Sequence, residues 1–206
     1  MLKFPARGLY AITQTENKSA GQVINDVSAA IRGGVNVVQY RDKNPSDAIK
    51  LAGDLVAICR QHNVPLIIND DIDLAVRVEA DGVHLGKDDG DINSARERLG
   101  DEAIIGISCY NSVERALMAQ EKGATYVAFG RFFPSNSKPL ASPADVATLK
   151  QAKQILTIPI VVIGGIMPDN GSQLLMAGAD VLAVIGGIFD SDPEQSARAY
   201  QGLFHD

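Results

Sequence analysis

The sequence predicts a (β/α)8 barrel, and three observations carry that expectation. Short runs rich in Val, Ile and Leu alternate with amphipathic helical stretches along the whole chain. Eight strand-then-helix units fit into 206 residues, near the lower size limit of such a barrel. Most of the runs are unbroken and apolar, as parallel strands covered on both faces require. The competing architecture is a doubly wound open sheet, which normally has about five or six strands and a glycine-rich phosphate motif after the first. The first run here, Leu9-Tyr-Ala-Ile-Thr-Gln-Thr-Glu, is followed by neither GxGxxG nor GxxxxGK[ST].

The strands are predicted at 9–13, 35–41, 65–69, 82–85, 104–109, 126–132, 159–163 and 181–185. Helical spacing of apolar residues is clear in 21–32, through Val23, Val27, Ala30 and Ile31, and in 47–62, through Ile49, Leu51, Leu55, Val56 and Cys59. Pro45-Ser46 suits the N-terminus of that second helix. Further helices are predicted at 74–78, 93–99, 112–122, 143–156, 170–177 and 193–204. Gly33-Gly34, Gly123-Ala124 and Gly178-Ala179 stop helices just before the next strand, the chemistry of a left-handed C-terminal cap. No linker, low-complexity stretch or charge block divides the chain, so one domain is expected over 1–206.

Composition narrows the function. Hydrophobic residues make up 46% and charged residues 21%, an ordinary globular balance. Lys and Arg number 19 against 25 Asp and Glu, a net charge of −6 that disfavours nucleic acid and anionic lipid as partners. Any anion must therefore meet a local cationic cluster. Cys59 and Cys109 form neither CxxC nor a zinc spacing and read as buried free thiols of a reducing compartment. No apolar run reaches the ~20 residues of a membrane span, and no apolar signal core precedes the first strand. A cytoplasmic enzyme of small molecules is expected, compatible with a homo-oligomer.

In a (β/α)8 barrel the chemistry gathers at the C-terminal ends of the strands. The second strand ends Gln39-Tyr40-Arg41-Asp42-Lys43, and period two puts Gln39 and Arg41 on the face of Val35 and Val37. The third ends Asn69-Asp70-Asp71, and the fourth His84-Leu-Gly-Lys87-Asp88-Asp89. The fifth ends Ser108-Cys109-Tyr110, and the sixth runs into Ser135-Asn136-Ser137-Lys138. The seventh and eighth end in Gly164-Gly165 and Ile185-Gly186-Gly187. Each has a bland alternative. Asp70 or Asp71 could cap a helix, Arg41 and Lys43 could pair with Asp42, His84 could be a satisfied barrel histidine, and the glycines could be plain turns.

As a set they suggest more. Neighbouring parallel strands lie ~4.8 Å apart, so carboxylates after the third and fourth can converge on one hard cation. Arg41, Lys43 and Lys138 place positive charge on the same rim. Glycines at the last two strand ends suit backbone binding of a phosphate. The combination points to a Mg²⁺-diphosphate leaving group and a phosphorylated second substrate.

These motifs resemble those of the thiamine phosphate synthase family from about Leu9 to Phe189. They are Leu9-Tyr-Ala-Ile-Thr, Gln39-Tyr-Arg41-Asp-Lys43, Asn69-Asp70, Ala80-Asp-Gly-Val-His84-Leu-Gly-Lys-Asp-Asp89 and Ile107-Ser108-Cys, followed by Tyr126 through Lys138, Val162-Ile-Gly-Gly165-Ile and Ala183-Val-Ile185-Gly186. The resemblance implies an enzyme joining 4-amino-2-methyl-5-hydroxymethylpyrimidine diphosphate to a thiazole ethyl phosphate, with pyrophosphate released. A carboxylated thiazole would also lose CO2. It implies that the segment Gln39, Tyr40, Arg41, Asp42, Lys43 holds the pyrimidine diphosphate, together with Asn69, Ser108 and Lys138. Of these, Arg41, Lys43, Lys138 and Ser108 would serve the chemical step. Asp70 and Asp89 would ligate Mg²⁺. Ser135, Asn136, Ser137, Gly165, Ile185 and Gly186 would hold the thiazole phosphate.

Departures from the family pattern touch mainly the thiazole side. Ser135 and Ser137 stand where Thr is usual, and Gly186 where Ser is frequent, which removes one hydroxyl from the phosphate site. Lys87 replaces Gln, Leu140 an acidic residue, and Tyr110 a common His. A related thiazole tautomerase would dispense with the carboxylates and use a histidine near Tyr110, and a phosphate-binding sensor would need neither the carboxylates nor the lysine loop. Asp70, Asp89 and Lys138 favour the synthase.

Overall fold

The computed structural model of the chain describes residues 1–86, 90–134 and 143–204. The elements in order are β1 (Gly8–Ile12), α1 (Ala20–Arg32), β2 (Val37–Tyr40), α2 (Ala48–Gln61), β3 (Leu66–Asn69), α3 (Ile72–Arg77), β4 (Gly82–Leu85), α4 (Ile92–Leu99), β5 (Ile104–Tyr110), α5 (Val113–Glu121), β6 (Tyr126–Gly130), α6 (Val146–Ile155), β7 (Ile160–Ile163), α7 (Gly171–Met176), β8 (Val181–Val184), α8 (Gly186–Phe189) and α9 (Pro193–Gln201). Neighbouring strands are parallel and follow sequence order, and β8 pairs with β1, so the sheet closes as the barrel predicted from the sequence.

Every predicted strand is present, with ends shifted by no more than two residues. The differences have local causes. β2 begins at Val37 because Asn36 caps its start, so Val35 lies in the connection and packs outward, whereas Val37 faces the barrel interior. The N-cap of α2 is Asp47, whose carboxylate accepts from Lys50 N at 3.0 Å, rather than Pro45-Ser46. α6 starts after Asp145, which accepts from Ala147 N at 2.9 Å, three residues later than the proline suggests. The short helix α8 has no counterpart in the sequence prediction.

One device repeats at the N-terminal rim. Asn36, Asp81, Thr125 and Asp180 precede β2, β4, β6 and β8, and each is hydrogen-bonded twice to one residue of the preceding strand. Their backbone N–H groups donate to the carbonyls of Leu9 (2.9 Å), Leu66 (3.0 Å), Ile105 (2.7 Å) and Ile160 (2.9 Å). Their side-chain oxygens accept from the N–H groups of those same residues at 2.9, 3.0, 3.0 and 2.9 Å. Leu9, Leu66, Ile105 and Ile160 each lie one residue ahead of the first registered pair with the next strand, and a buried N–H left unmade there is costly.

Period two then sorts the side chains into two cores. Tyr10, Ile12, Val37, Ile67, Ile104, Tyr126, Ala128, Val161, Val181 and Ala183 fill the barrel, while Leu9, Val38, Leu66, Val83, Ile105, Val127, Val162 and Leu182 meet the helices. Phe4, ahead of β1, stacks on Tyr126 at 4.1 Å between ring centroids and plugs the N-terminal end. Cys59 and Cys109 are buried and free, as expected, and burial pushes both thiols up to about 12.

Asp81 tests the rim device. Its carboxylate is 3% exposed and accepts from Leu66 N and, at 2.8 Å, from Leu2 N. Asp81→Ala strands both donors and should cost roughly 1–3 kcal/mol, whereas Asp81→Asn keeps an acceptor for Leu66 and should recover most of it. Urea unfolding of the two variants checks this; equal losses would show that charge rather than the acceptor matters there.

Candidate active site

The interior of the barrel opens at its C-terminal end into a cavity of about 200 Å³. Its lining includes Gln39 and Arg41 from β2 and its end, Asn69 and Asp70 after β3, His84 and Gly86 at β4, and Ser108 and Tyr110 on β5. Tyr10, Ile12, Tyr126 and Ala128 lie deeper, and Arg131, Val161, Ile163, Gly164, Ala183 and Ile185 complete the wall. Polar groups thus come mostly from β1–β6, and the β7–β8 side is apolar. A second hollow of about 780 Å³ adjoins it, sharing Arg41 and Ile185 and bordered by Asp42, Lys43, Asn44, Gly186 and Asp190.

Local backbone structure aims these groups. Thr13 clamps the Arg41 main chain: its hydroxyl donates to Arg41 O (3.0 Å) and accepts from Arg41 N (2.9 Å). That leaves the guanidinium at the mouth, and among the described residues neither Arg41 nor Lys43 forms an ion pair, with Asp42 or any other acid. Asp42 instead accepts from Asn44 N in a tight turn at 3.0 Å. Asp70 adopts a left-handed backbone, φ 65°, and its N–H donates to His84 O at 2.8 Å. Asn69 Nδ2 donates to the exposed Asp70 carboxylate at 2.5 Å. The helix cap is therefore Asp71, which accepts from Leu74 N at 2.8 Å, and not Asp70. At the end of β5 the register shifts, Tyr110 takes φ 56°, and its ring stands exposed with the Arg115 guanidinium 5.9 Å above it. Arg115 also donates to Ser108 O (2.7 Å) and Gly86 O (3.2 Å), tying the ends of β4 and β5 together.

A chain of hydrogen bonds runs through the interior. Gln39 Nε2 donates to Tyr10 Oη (2.8 Å), which meets Tyr126 Oη (2.9 Å). Tyr126 Oη meets His84 Nδ1, and His84 Nε2 meets Ser108 Oγ, both at 2.9 Å. Burial pushes the Tyr10 and Tyr126 phenols well above the usual range, so both keep their protons at neutral pH. His84 is the satisfied barrel histidine weighed as an alternative above, yet both its neighbours in the chain line the cavity.

Of the residues singled out from sequence, Gln39, Arg41, Asn69, Asp70, Ser108 and Ile185 line the cavity, and Lys43, Asp42 and Gly186 border the adjoining hollow. Tyr40 does not line the cavity but borders the adjoining hollow. It points into the helix-packed core, as period two requires of a neighbour of inward Gln39, and burial with Asp42 nearby raises its phenol to about 12. Gly165 lines neither space. Gly164 (φ 109°) and Gly165 (φ 60°) serve close packing, since a Cβ would lie 2.3 Å from Arg131 Cβ and 2.3 Å from Pro134 O respectively. Asp89, Ser135, Asn136, Ser137 and Lys138 lie outside the described residues, as do Lys87 and Leu140. Sequence reasoning passed over Tyr10, Thr13, Arg115, Tyr126 and Arg131. The available signal was a phenol at inward parity in an apolar strand.

An oxygen-rich cation site is chemically consistent with Asp70, an exposed carboxylate at the cavity mouth. Among the described residues no group of three or more His, Cys, Asp or Glu converges. Among the described residues, too, no helix is long and apolar enough to cross a membrane.

The chain is similar to known proteins along nearly its whole length. Residues 9–188 match the family described as thiamine monophosphate synthase. The thiamine-phosphate synthase of Nitrosococcus oceani is 50% identical over 201 residues, covering 96% of this chain and 93% of the relative. That of Saccharophagus degradans is 51% identical over 199 residues, covering 95% and 92%. The solved thiamine phosphate pyrophosphorylase of Pyrococcus furiosus superposes with a TM-score of 0.86 at 32% identity, covering 96% of this chain and 95% of that one. A closed barrel with this cavity, matched along nearly its whole length, makes the chain a member of the thiamine monophosphate synthase family.

Proposed function

We propose that this transferase joins 4-amino-2-methyl-5-hydroxymethylpyrimidine diphosphate to thiazole ethyl phosphate, free or carboxylated, releasing pyrophosphate and, from the carboxylated form, CO2. The observation that carries the reading is the convergence of Gln39, Arg41, Asn69, Asp70 and Ser108 from three strand ends on one cavity. Gln39, Asn69 and Ser108 hold the pyrimidine. Arg41, Lys43 and Lys138 take the diphosphate, which extends from the cavity over Arg41 toward the adjoining hollow. Ser135, Asn136, Ser137, Gly165, Ile185 and Gly186 hold the thiazole phosphate. All of this is performed as one domain over residues 1–206.

The chemistry needs no nucleophile from the protein. The C–O bond to the diphosphate breaks with its electron pair leaving on pyrophosphate, and the electron-rich aminopyrimidine stabilises the methylene cation. The thiazole nitrogen then supplies the pair for the new C–N bond. Arg41, Lys43 and Lys138 hold fixed positive charge where negative charge develops, and the two substrates are kept in line, so positioning and electrostatics carry the rate. Val161, Ile163, Ala183 and Ile185 form an apolar wall that keeps water from the cation. Mg²⁺ held by Asp70 and Asp89 would neutralise the departing diphosphate oxygens.

Three outcomes test this. Asp70→Asn should cut turnover by at least roughly 10- to 100-fold, the cost of even an outer-shell change at a metal site, with the urea midpoint unchanged. Full turnover in EDTA would remove the metal from the reaction. Arg41→Ala should weaken pyrimidine diphosphate binding by roughly 10- to 150-fold, the loss of about 1.5–3 kcal/mol for a charge-assisted hydrogen bond, and leave the thiazole phosphate nearly untouched. Calorimetry with each ligand separates the two. Gly186 has no positive φ, and an added Cβ meets chiefly the Asp190 carboxylate tip, with Oδ2 at 2.4 Å, an exposed side chain free to swing away. Gly186→Ser should therefore tighten thiazole phosphate binding by ~0.5–1.5 kcal/mol; a raised Michaelis constant for that substrate would show the glycine serves the backbone.

A further inference from the structure

We propose that the buried chain Gln39–Tyr10–Tyr126–His84–Ser108 couples the two ends of the pyrimidine site, so that Gln39 and Ser108 present opposite hydrogen-bonding polarity to the ligand. The proposal rests on the placement of the pyrimidine between these residues argued above. It adds positioning roles for Tyr10, Tyr126 and His84, which act through Gln39 and Ser108.

The argument is a count of protons. A phenol has one proton, and a neutral imidazole has one donor and one acceptor nitrogen. Gln39 Nε2 faces Tyr10 Oη at 2.8 Å, so Tyr10 receives there and must give its own proton to Tyr126. Tyr126 in turn gives its proton to His84 Nδ1, which leaves the imidazole proton on Nε2, directed at Ser108 Oγ. The Ser108 hydroxyl thus keeps its own hydrogen for the cavity, while Gln39 keeps its carbonyl oxygen. Ser108 donates and Gln39 accepts.

Reversing any one link reverses them all. If Ser108 donates to His84, the protons run the other way, Gln39 turns its oxygen to Tyr10, and its amide N–H groups face the cavity. A mixed state would leave a phenol proton, or a phenol–phenol contact, without a match inside the barrel. Tyr10 is 1% and Tyr126 0% exposed, so no solvent would compensate it, and a buried unmade hydrogen bond is expensive. With His84 neutral, the chain therefore has two self-consistent states. Both offer the ligand one donor and one acceptor, never two of a kind. An aminopyrimidine edge, with a ring nitrogen acceptor beside an amino donor, has the complementary pattern.

Space for the chain is built into the strands. Gly106 stands between His84 and Tyr126 in the sheet register, and a Cβ there would lie 2.0 Å from Tyr126 Cζ. Phe4 closes the other side of the same ring.

The test is a mutant cycle read as pyrimidine diphosphate affinity by calorimetry. Gln39→Met and Ser108→Ala should each weaken binding by about two- to tenfold, the net value of one hydrogen bond. Together they should weaken it less than the product of the two effects, by at least about threefold, as expected of residues in one network. In the Tyr126→Phe background the ring and its stacking remain but the chain is cut, and the two effects should simply multiply. Tyr10→Phe cuts the adjacent link and should do the same, which covers the case of one variant folding poorly. Effects that multiply in the unaltered protein overturn the coupling. So does a coupling that survives both phenylalanine variants, because it would then pass through the ligand. Unchanged affinity in both single variants would instead remove the pyrimidine from between Gln39 and Ser108, and the coupling with it.

Discussion

Register in this barrel is set at the end opposite the chemistry, by Asn36, Asp81, Thr125 and Asp180, each of which bonds through main chain and side chain to a single residue of the strand before it. A two-point attachment of this kind admits one alignment. A slip of one residue would exchange the two faces of a strand, since side chains alternate with period two. Gln39, Asn69 and His84 would then meet helices, and Tyr40, Ile68 and Leu85 would fill the cavity. The site at the C-terminal rim is thus a consequence of polar contacts at the other end of the same strands. Four such contacts, one per pair of strands, also make the barrel a repeat of two-strand units, which agrees with inward side chains coming in layers from alternate strands.

What fills the barrel is less apolar than the strand composition suggests. Branched residues carry the helix-facing core, but the axis holds two tyrosines, a histidine and a glutamine, all buried. Burying polar groups is tolerable only where each finds a partner, and here they find one another. The cost of the arrangement appears in the glycines. Gly82, at the start of β4, and Gly106, inside β5, give up side chains, Gly82 because a Cβ would lie 1.9 Å from Ile104 O and Gly106 because of the Tyr126 ring. Floor, interior and rim are in this way one hydrogen-bonded object, from Phe4 stacked beneath Tyr126 to Ser108 in the cavity wall.

Most of the fold was legible in the sequence, because unbroken apolar strands and amphipathic helices state their periods openly. The strand ends were legible as a site for the same reason: Gln39, Arg41, Asn69, Asp70 and Ser108 interrupt apolar runs where a barrel gathers its chemistry. Side-chain direction was harder to read. Tyr40 lies between two residues that face the cavity, and period two turns it outward, to the helix-packed core and the border of the adjoining hollow. Tyr10 and Tyr126 were invisible for a different reason, since tyrosine in a strand is ordinary β-propensity and its hydroxyl declares itself only when the opposite wall is known. Gly164 and Gly165 invited a phosphate reading, and their positive φ values and close contacts with residues 131–134 show that packing by itself also requires glycine there.

The cavity wall also has a direction. Its polar groups belong to β2–β5, the phenols of β1 and β6, and Arg131 after β6, and Val161, Ile163, Ala183 and Ile185 leave the β7–β8 side apolar. For the proposed reaction this division matters more than any single residue. A leaving diphosphate needs dense, fixed positive charge on one side, supplied by Arg41 with its main chain clamped by Thr13. A transient cation needs the opposite, a wall with no competing nucleophile and little water. A thiazole approaching from the β7–β8 side would cross only apolar surface before its nitrogen meets the methylene carbon. The charged side stays with the departing group. The two demands conflict in a uniform pocket and are compatible in one whose polarity changes around the barrel, which closed eight-strand geometry provides by assigning each sector to different strands.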